Sequence, residues 1–302
     1  MNKKQKILKI QQSRKLLNLL TGLEQETKKT EKALAKQIRR FFTRLQRRII
    51  KEYSEVSDEY LHLFHLQVPL IIEDEWGLYE TILGRYNEKA AVIGILYNKL
   101  LTEYSFQRAR EMGVSVKSDA SDIYKANPKV SEGLRQNTVY ASEKVKNKIT
   151  SDINNVLSDA YNDGLGRNDV MKKLNEKFNK LGLYEAKQIA VTEINSNRNY
   201  ANYEQIKNDC VEYKQWITAE DNRVRPTHVA LNGHIVRTKD NFSNGLEHPG
   251  DKNGAVKEWI NCRCVLLPYF VPWGMKAPDM VEFTEDQLLV DESAGTVSDH
   301  LS

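Results

Sequence analysis

YEAKQIAVTEINSNRNYANYEQIKND, residues 184–209, is the stretch on which the fold turns. Thr192, Asn195, Asn199 and Asn202 recur at steps of 3, 4 and 3, with Glu193 beside them, so one stripe of a helix is polar. Asn competes with helical hydrogen bonds, so a helix that collects it needs a reason. Two readings stay open: an exposed face of poor helix formers, or a polar strip that hydrogen-bonds the segment following it. The second is the expectation.

After Asp209 the period changes. Val211–Ala219 is compatible with a strand anchored by Trp216 and Ile217, Asn232-Gly233 reads as a type I′ hairpin turn, and Cys262–Val271 reads as a buried strand. Before Tyr184 the chain reads as helices. Leu34, Ile38, Phe41, Leu45 and Ile49 step by 4, 3, 4 and 4, and Ala90, Ile93, Tyr97 and Leu100 share a face. Breaks are expected near Thr21-Gly22 and Pro69, a cap at Asn168/Asp169 and a helix end at Gly182. The fold class is therefore an α-rich α+β protein, with long helices in the N-terminal two thirds and a small β-rich subdomain near the C-terminus.

The expected organisation is a basic long-helix region over 1–112, a linker over 113–130, and a domain over 131–275. That domain divides into helices to residue 209 and a β-rich part from 210, and 276–302 is an acidic tail expected to be flexible. A chain of 302 residues can bury real cores. No window approaches the apolar length of a membrane span, so no membrane partner is expected. The first ten residues lack a secretory pattern, and three cysteines form no even framework, which points to synthesis in a reducing cytoplasm.

Residues 1–51 carry 16 Lys/Arg against 3 Glu, a net +13, so the rest of the chain sums to 4 − 13 = −9. Arg39, Arg40, Arg44, Arg47, Arg48 and Lys51 crowd one helix. Such a face is either solvated or packed on an acidic partner, or it contacts phosphates of double-stranded DNA without reading sequence.

Chemistry concentrates between Val211 and Tyr269, in EYKQWITAEDNRVRPTHVALNGHIVRT (212–238) and EWINCRCVLLPY (258–269). Cys262 and Cys264, at i and i+2 on an expected strand, would face the same way and could share an ion with His228. His234, His248 and Asp221 are candidate fourth ligands. The alternative is structural: the cysteines as buried small hydrophobes, His228 as a core histidine, and Asp221, Arg223 and Arg225 as an ion-pair network closing the loop. A third reading, a metal-dependent nuclease or other hydrolase, is disfavoured because no HExxH, GxSxG, P-loop or dinucleotide signature is present.

The ordered set IAVTEIN, WITAEDNRVRPTHVALNGHIV and INCRCVLLP resembles the Mu F-like minor head protein family of tailed bacteriophages, also called phage head morphogenesis proteins, over roughly residues 130–270. Its motif positions here are Thr192, Glu193, Asn195, Trp216, Asp221, Arg223, Arg225, His228, Gly233, Asn261, Cys262, Arg263 and Cys264. The resemblance implies a non-enzymatic virion protein made in the host cytoplasm and placed in the head interior. It would associate with the portal during procapsid assembly, with scaffolding or major capsid protein as further partners, and act in DNA packaging or ejection. Many family members carry a set resembling a zinc site. Here Arg225 and Trp259 stand at two of its positions, leaving His228, Cys262 and Cys264. The expectation is no cofactor, with zinc as the alternative.

Overall fold

A computed structural model describes residues 3–111, 128–219 and 221–271, with side chains from residue 16 to 105 and from 129 onward. The expected acidic tail and almost all of the expected linker lie outside the described residues. The order is α1 (Lys3–Glu55), a 3-10 segment (Asp58–Leu66), α2 (Val68–Glu111), α3 (Pro128–Asn162), α4 (Arg167–Lys180), a π-helical turn (Leu181–Glu185) and α5 (Ala186–Asn208). There follow β1 (Tyr213–Ile217), α6 (Pro226–Val229), β2 (Ile235–Arg237), α7 (Val256–Trp259) and β3 (Val265–Tyr269). The fold class is as read from the sequence.

The apolar series of α1 is buried as its spacing requires, with Leu34, Ile38, Leu45 and Ile49 sealed against Ile72, Tyr79 and Leu83 of α2 and Ile149, Ile153 and Leu157 of α3. Val170, Leu174 and Phe178 of α4 and Ala186, Ala190 and Ile194 of α5 join that core. Helices on both sides of residues 113–130 therefore share one hydrophobic interior. Buried polar pairs set its register: Trp76 Nε1 donates to Ser142 Oγ at 2.6 Å, and Asn87 Nδ2 to Thr138 Oγ1 at 2.9 Å.

Gly22 does not break α1, which runs unbroken through it. A Cβ there would meet nothing, so the glycine sits on an open face. Its helix cost of about 1 kcal/mol is outweighed by burial of Leu16 and Leu20 beside it. Pro69 instead falls in the first turn of α2, where its missing N–H costs nothing. The 53-residue α1 ends where Arg167 of α4 donates to the carbonyls of Tyr53, Ser54 and Val56. Those are orphan acceptors of a helix end.

Two helix boundaries differ from the reading. Gly166, not Asn168 or Asp169, takes the N-cap position of α4. Gly182 ends nothing: it lies in the π-turn joining α4 to α5, and its carbonyl accepts a 2.9 Å bond from Arg39 Nε.

The sheet is three-stranded and antiparallel, in the order β2-β1-β3. Tyr213 pairs with Arg237 on one side and Tyr269 on the other. Asn232-Gly233 is not a type I′ hairpin. Only Gly233 of the two has positive φ, and the β1–β2 connection is a long excursion through α6. Gly233 N instead donates to Trp216 O, and Trp216 N to His234 O. The third strand begins at Val265, so Cys262 and Cys264 precede it.

Candidate functional site

The expected polar strip of α5 meets the segment that follows it. Asn195 Nδ2 donates to Cys264 O at 3.2 Å and Asn199 Nδ2 to the same oxygen at 2.9 Å. Asn199 Oδ1 accepts from Leu266 N at 3.0 Å, and Asn202 Nδ2 donates to Leu266 O at 2.6 Å. Side-chain amides thus complete the free edge of β3, whose other edge pairs with β1. Between Thr192 and Ile206 every residue but Tyr200 is buried. Steps of three and four deliver these amides to one line because that line faces the sheet edge.

Thr192 Oγ1 accepts from Asn261 N at 2.9 Å. Asn261 is left-handed, with φ 55, a conformation Asn tolerates better than most residues. The next residues, Cys262 and Cys264, turn inward, each 2% exposed. His228, 1% exposed on α6, completes the group: Nδ1 lies 3.4 Å from Cys264 Sγ and 3.8 Å from Cys262 Sγ. Its other nitrogen, Nε2, is 3.0 Å from Glu258 Oε2, which also accepts from Thr227 Oγ1 at 3.1 Å. Trp216 stands edge-on to the imidazole, with ring centroids 5.1 Å apart.

The Cys264 sulfur, with His228 assisting, holds the Cys262 thiol well below its ordinary range against the opposing effect of burial. Cys262 and burial together push Cys264 up.

Asp221 does not bond to His228. Its carboxylate takes the Arg263 fork at 2.5 and 2.6 Å and Arg223 at 2.9 Å, which holds it far below the usual carboxylate range. Arg225 does not join the expected ion-pair network with Asp221 and Arg223 either. It donates to the Glu258 and Ile260 carbonyls, fixing the turn that carries Glu258. The closing network therefore has two separate parts, and its histidine partner is Glu258, which sequence reasoning missed.

Two sulfurs and one imidazole nitrogen lie within 4.8 Å of one another, the only such grouping among the described residues. The donor set fits three positions of a tetrahedral zinc site, with Glu258 supplying the outer carboxylate that fixes a ligating histidine. None of the expected fourth ligands reaches it. His248 packs between Tyr200 and Tyr203 with Nδ1 on Pro249 O, Asp221 is held by two arginines, and His234 is outside the grouping.

The candidate DNA-contact residues are partly committed inside the protein. Arg44 and Arg48 both bind Glu75, at 2.6 and 3.0 Å, and Arg48 also binds Asp74 at 2.8 Å. Burial pushes the Glu75 carboxyl up, and the two guanidinium groups more than reverse it. Arg39 is on Gly182 O and Lys51 is 3.9 Å from Glu55. Arg40 and Arg47 are exposed and make no ion pair among the described residues.

A family model described as Phage Mu protein F like protein matches residues 151–267, from the second half of α3 to β3. That region is Mu F-like, as the motifs imply. A search of curated proteins and a search of solved structures each returned no match. No described helix is long and apolar enough to cross a membrane.

Proposed function

We propose that this chain is a structural protein of a tailed-phage head that docks beside the portal during assembly, its C-terminal module serving as the attachment unit. The observation that carries this reading is the family match over 151–267, which takes in β1, β2, the start of β3 and the α5 strip that holds it. A non-catalytic role accords with the burial of His228, Cys262 and Cys264, which leaves a substrate no approach to the sulfurs. Apolar side chains at the turn between α1 and α2 support a protein partner: Tyr60, Leu66 and Leu70 are 52%, 61% and 70% exposed, and Tyr161 of α3 is 69% exposed.

Co-purification with the portal and other head proteins, from cells expressing them together, tests the reading. Retention at high salt after nuclease treatment is expected, and loss of every head protein under those conditions overturns it. Contact with packaged DNA is the finer part of the proposal and rests on Arg40, Arg47 and Lys51. Three phosphate contacts give a log–log salt slope of about −3, against about −5 for six. A slope near zero removes DNA from the proposal and leaves the protein partner standing.

The His228–Cys262–Cys264 group is proposed as a structural zinc position or, without an ion, as a hydrogen-bonded lock. In either form it fastens the approach to β3 onto α6.

A further inference from the structure

Under the β-module lies a second buried polar group that the proposed role does not use. Lys252 Nζ is 2.7 Å from Glu193 Oε2, and the two side chains are 6% and 5% exposed. The same Oε2 is 3.4 Å from Nδ2 of Asn197, which is fully buried. Asn197 Oδ1 accepts from Asn137 Nδ2 at 3.1 Å. The loop carrying Lys252 is seated by close backbone contact: Ser196 Oγ donates to Gly250 O at 2.5 Å, and a Cβ on Gly250 would meet Ser196 Cα at 2.9 Å.

Each member has a definite chemical capacity. Lys252 is an amine nucleophile once neutral. Glu193 touches both the attacking nitrogen and the nitrogen that would leave, which is the position of a proton carrier. Asn197 is an amide electrophile, and Asn137 places a donor on its oxygen, where negative charge would develop. Burial also excludes water that would otherwise compete.

We propose that Lys252 and Asn197 become joined by an isopeptide bond, with Glu193 carrying the protons. Lys252 passes a proton to Glu193 and its lone pair attacks Cγ of Asn197, after a rotamer adjustment that brings Nζ to bonding approach. The Nζ–Cγ bond forms, the Cγ–Nδ2 bond breaks, and Nδ2 departs as ammonium with the two protons Nζ has given up. One lysine ammonium and one primary amide thus yield one secondary amide and one ammonium ion. No oxidant, reductant or co-reactant is required. The product would tie the loop of the β-module covalently to α5.

Intact mass spectrometry of the purified full-length chain, after incubation at neutral pH, tests this. The expected mass is lower than the sequence mass by one ammonia, with a branched peptide joining Lys252 to Asn197 after proteolysis. Lys252→Arg keeps a buried cation on Glu193 but cannot form the bond, and Glu193→Gln keeps the shape but cannot carry the proton. Both are expected at their full sequence mass. A wild-type chain at its full sequence mass overturns the proposal, and so does an ammonia loss confined to a linear peptide.

Discussion

Asn199 holds Leu266 as a neighbouring strand would: its Oδ1 accepts the Leu266 N–H at 3.0 Å while its Nδ2 donates to the carbonyl of Cys264. A helix side chain here replaces the missing ladder partner of β3. Asn199→Ala leaves a buried N–H without its partner, which costs about 1–3 kcal/mol for the group alone, and more with the second bond. Denaturant unfolding should show a midpoint shift of that size. Asn199→Asp should retain part of the loss, because it keeps the acceptor and discards the donor.

Gly94 sets how closely α2 and α5 approach. A Cβ at that position would lie 2.1 Å from the backbone oxygen of Arg198. Backbone cannot swing aside as a side chain can, so Gly94→Ala should destabilise by at least the 1–3 kcal/mol typical of overpacking. That outcome is opposite to the gain Ala normally brings to a helix interior. A raised thermal midpoint for Gly94→Ala would contradict the packing described.

Lys214 is wholly buried in β1, its Nζ 2.7 Å from Glu247 O and 4.5 Å from the Tyr203 ring centroid. Burial lowers its pKa to about 8. Unfolded lysine titrates near 10.4. Below pH 8 both states hold the proton and the folded state bears the full cost of a buried ammonium, roughly 3 kcal/mol. As pH rises through 8 the folded state releases its proton first, so this cost shrinks and is gone near pH 10.4. Stability contributed by this site should therefore increase from pH 8 to 9.5 relative to Lys214→Met. A constant difference between the two proteins across that range would refute the assignment.

Zinc should raise the thermal midpoint of the reduced protein at one ion per chain, by an amount that grows with free zinc. A ligand at 100 times its dissociation constant adds about 2.7 kcal/mol. Cys262→Ser and Cys264→Ser should each abolish the shift, and Glu258→Gln should weaken it, because the carboxylate orients His228 through Nε2. No shift with any divalent ion leaves the hydrogen-bonded lock as the description of this group.

The sequence made the change of period at Asp209 readable, because helix and strand place side chains on different repeats. The Asn stripe was readable for the same reason: its steps of three and four are geometric facts about a helix face. His228, Cys262 and Cys264 converge in the structure, which their spacing in the sequence left open, and the cysteines reach the group from a turn instead of a strand. Glu258 was not readable. It meets His228 only because Arg225 pins the intervening turn, and no local periodicity encodes a contact across thirty residues. The π-turn at Leu181–Glu185 hid behind Gly182, which looks like a helix end unless Arg39 from a distant helix is known to occupy its carbonyl. Likewise, the arginines of α1 read as a free cationic face until Glu75 is seen between two of them.

Because α5 is buried along both its sides, it is a shared spindle between the helical body and the sheet. A module hung on a linker could melt or swing alone, but one whose edge strand is completed by the amides of a core helix cannot loosen without opening that core. Calorimetry should consequently record one heat-absorption peak for the region from α1 to β3, and force applied to the C-terminal module would be transmitted directly into the long helices.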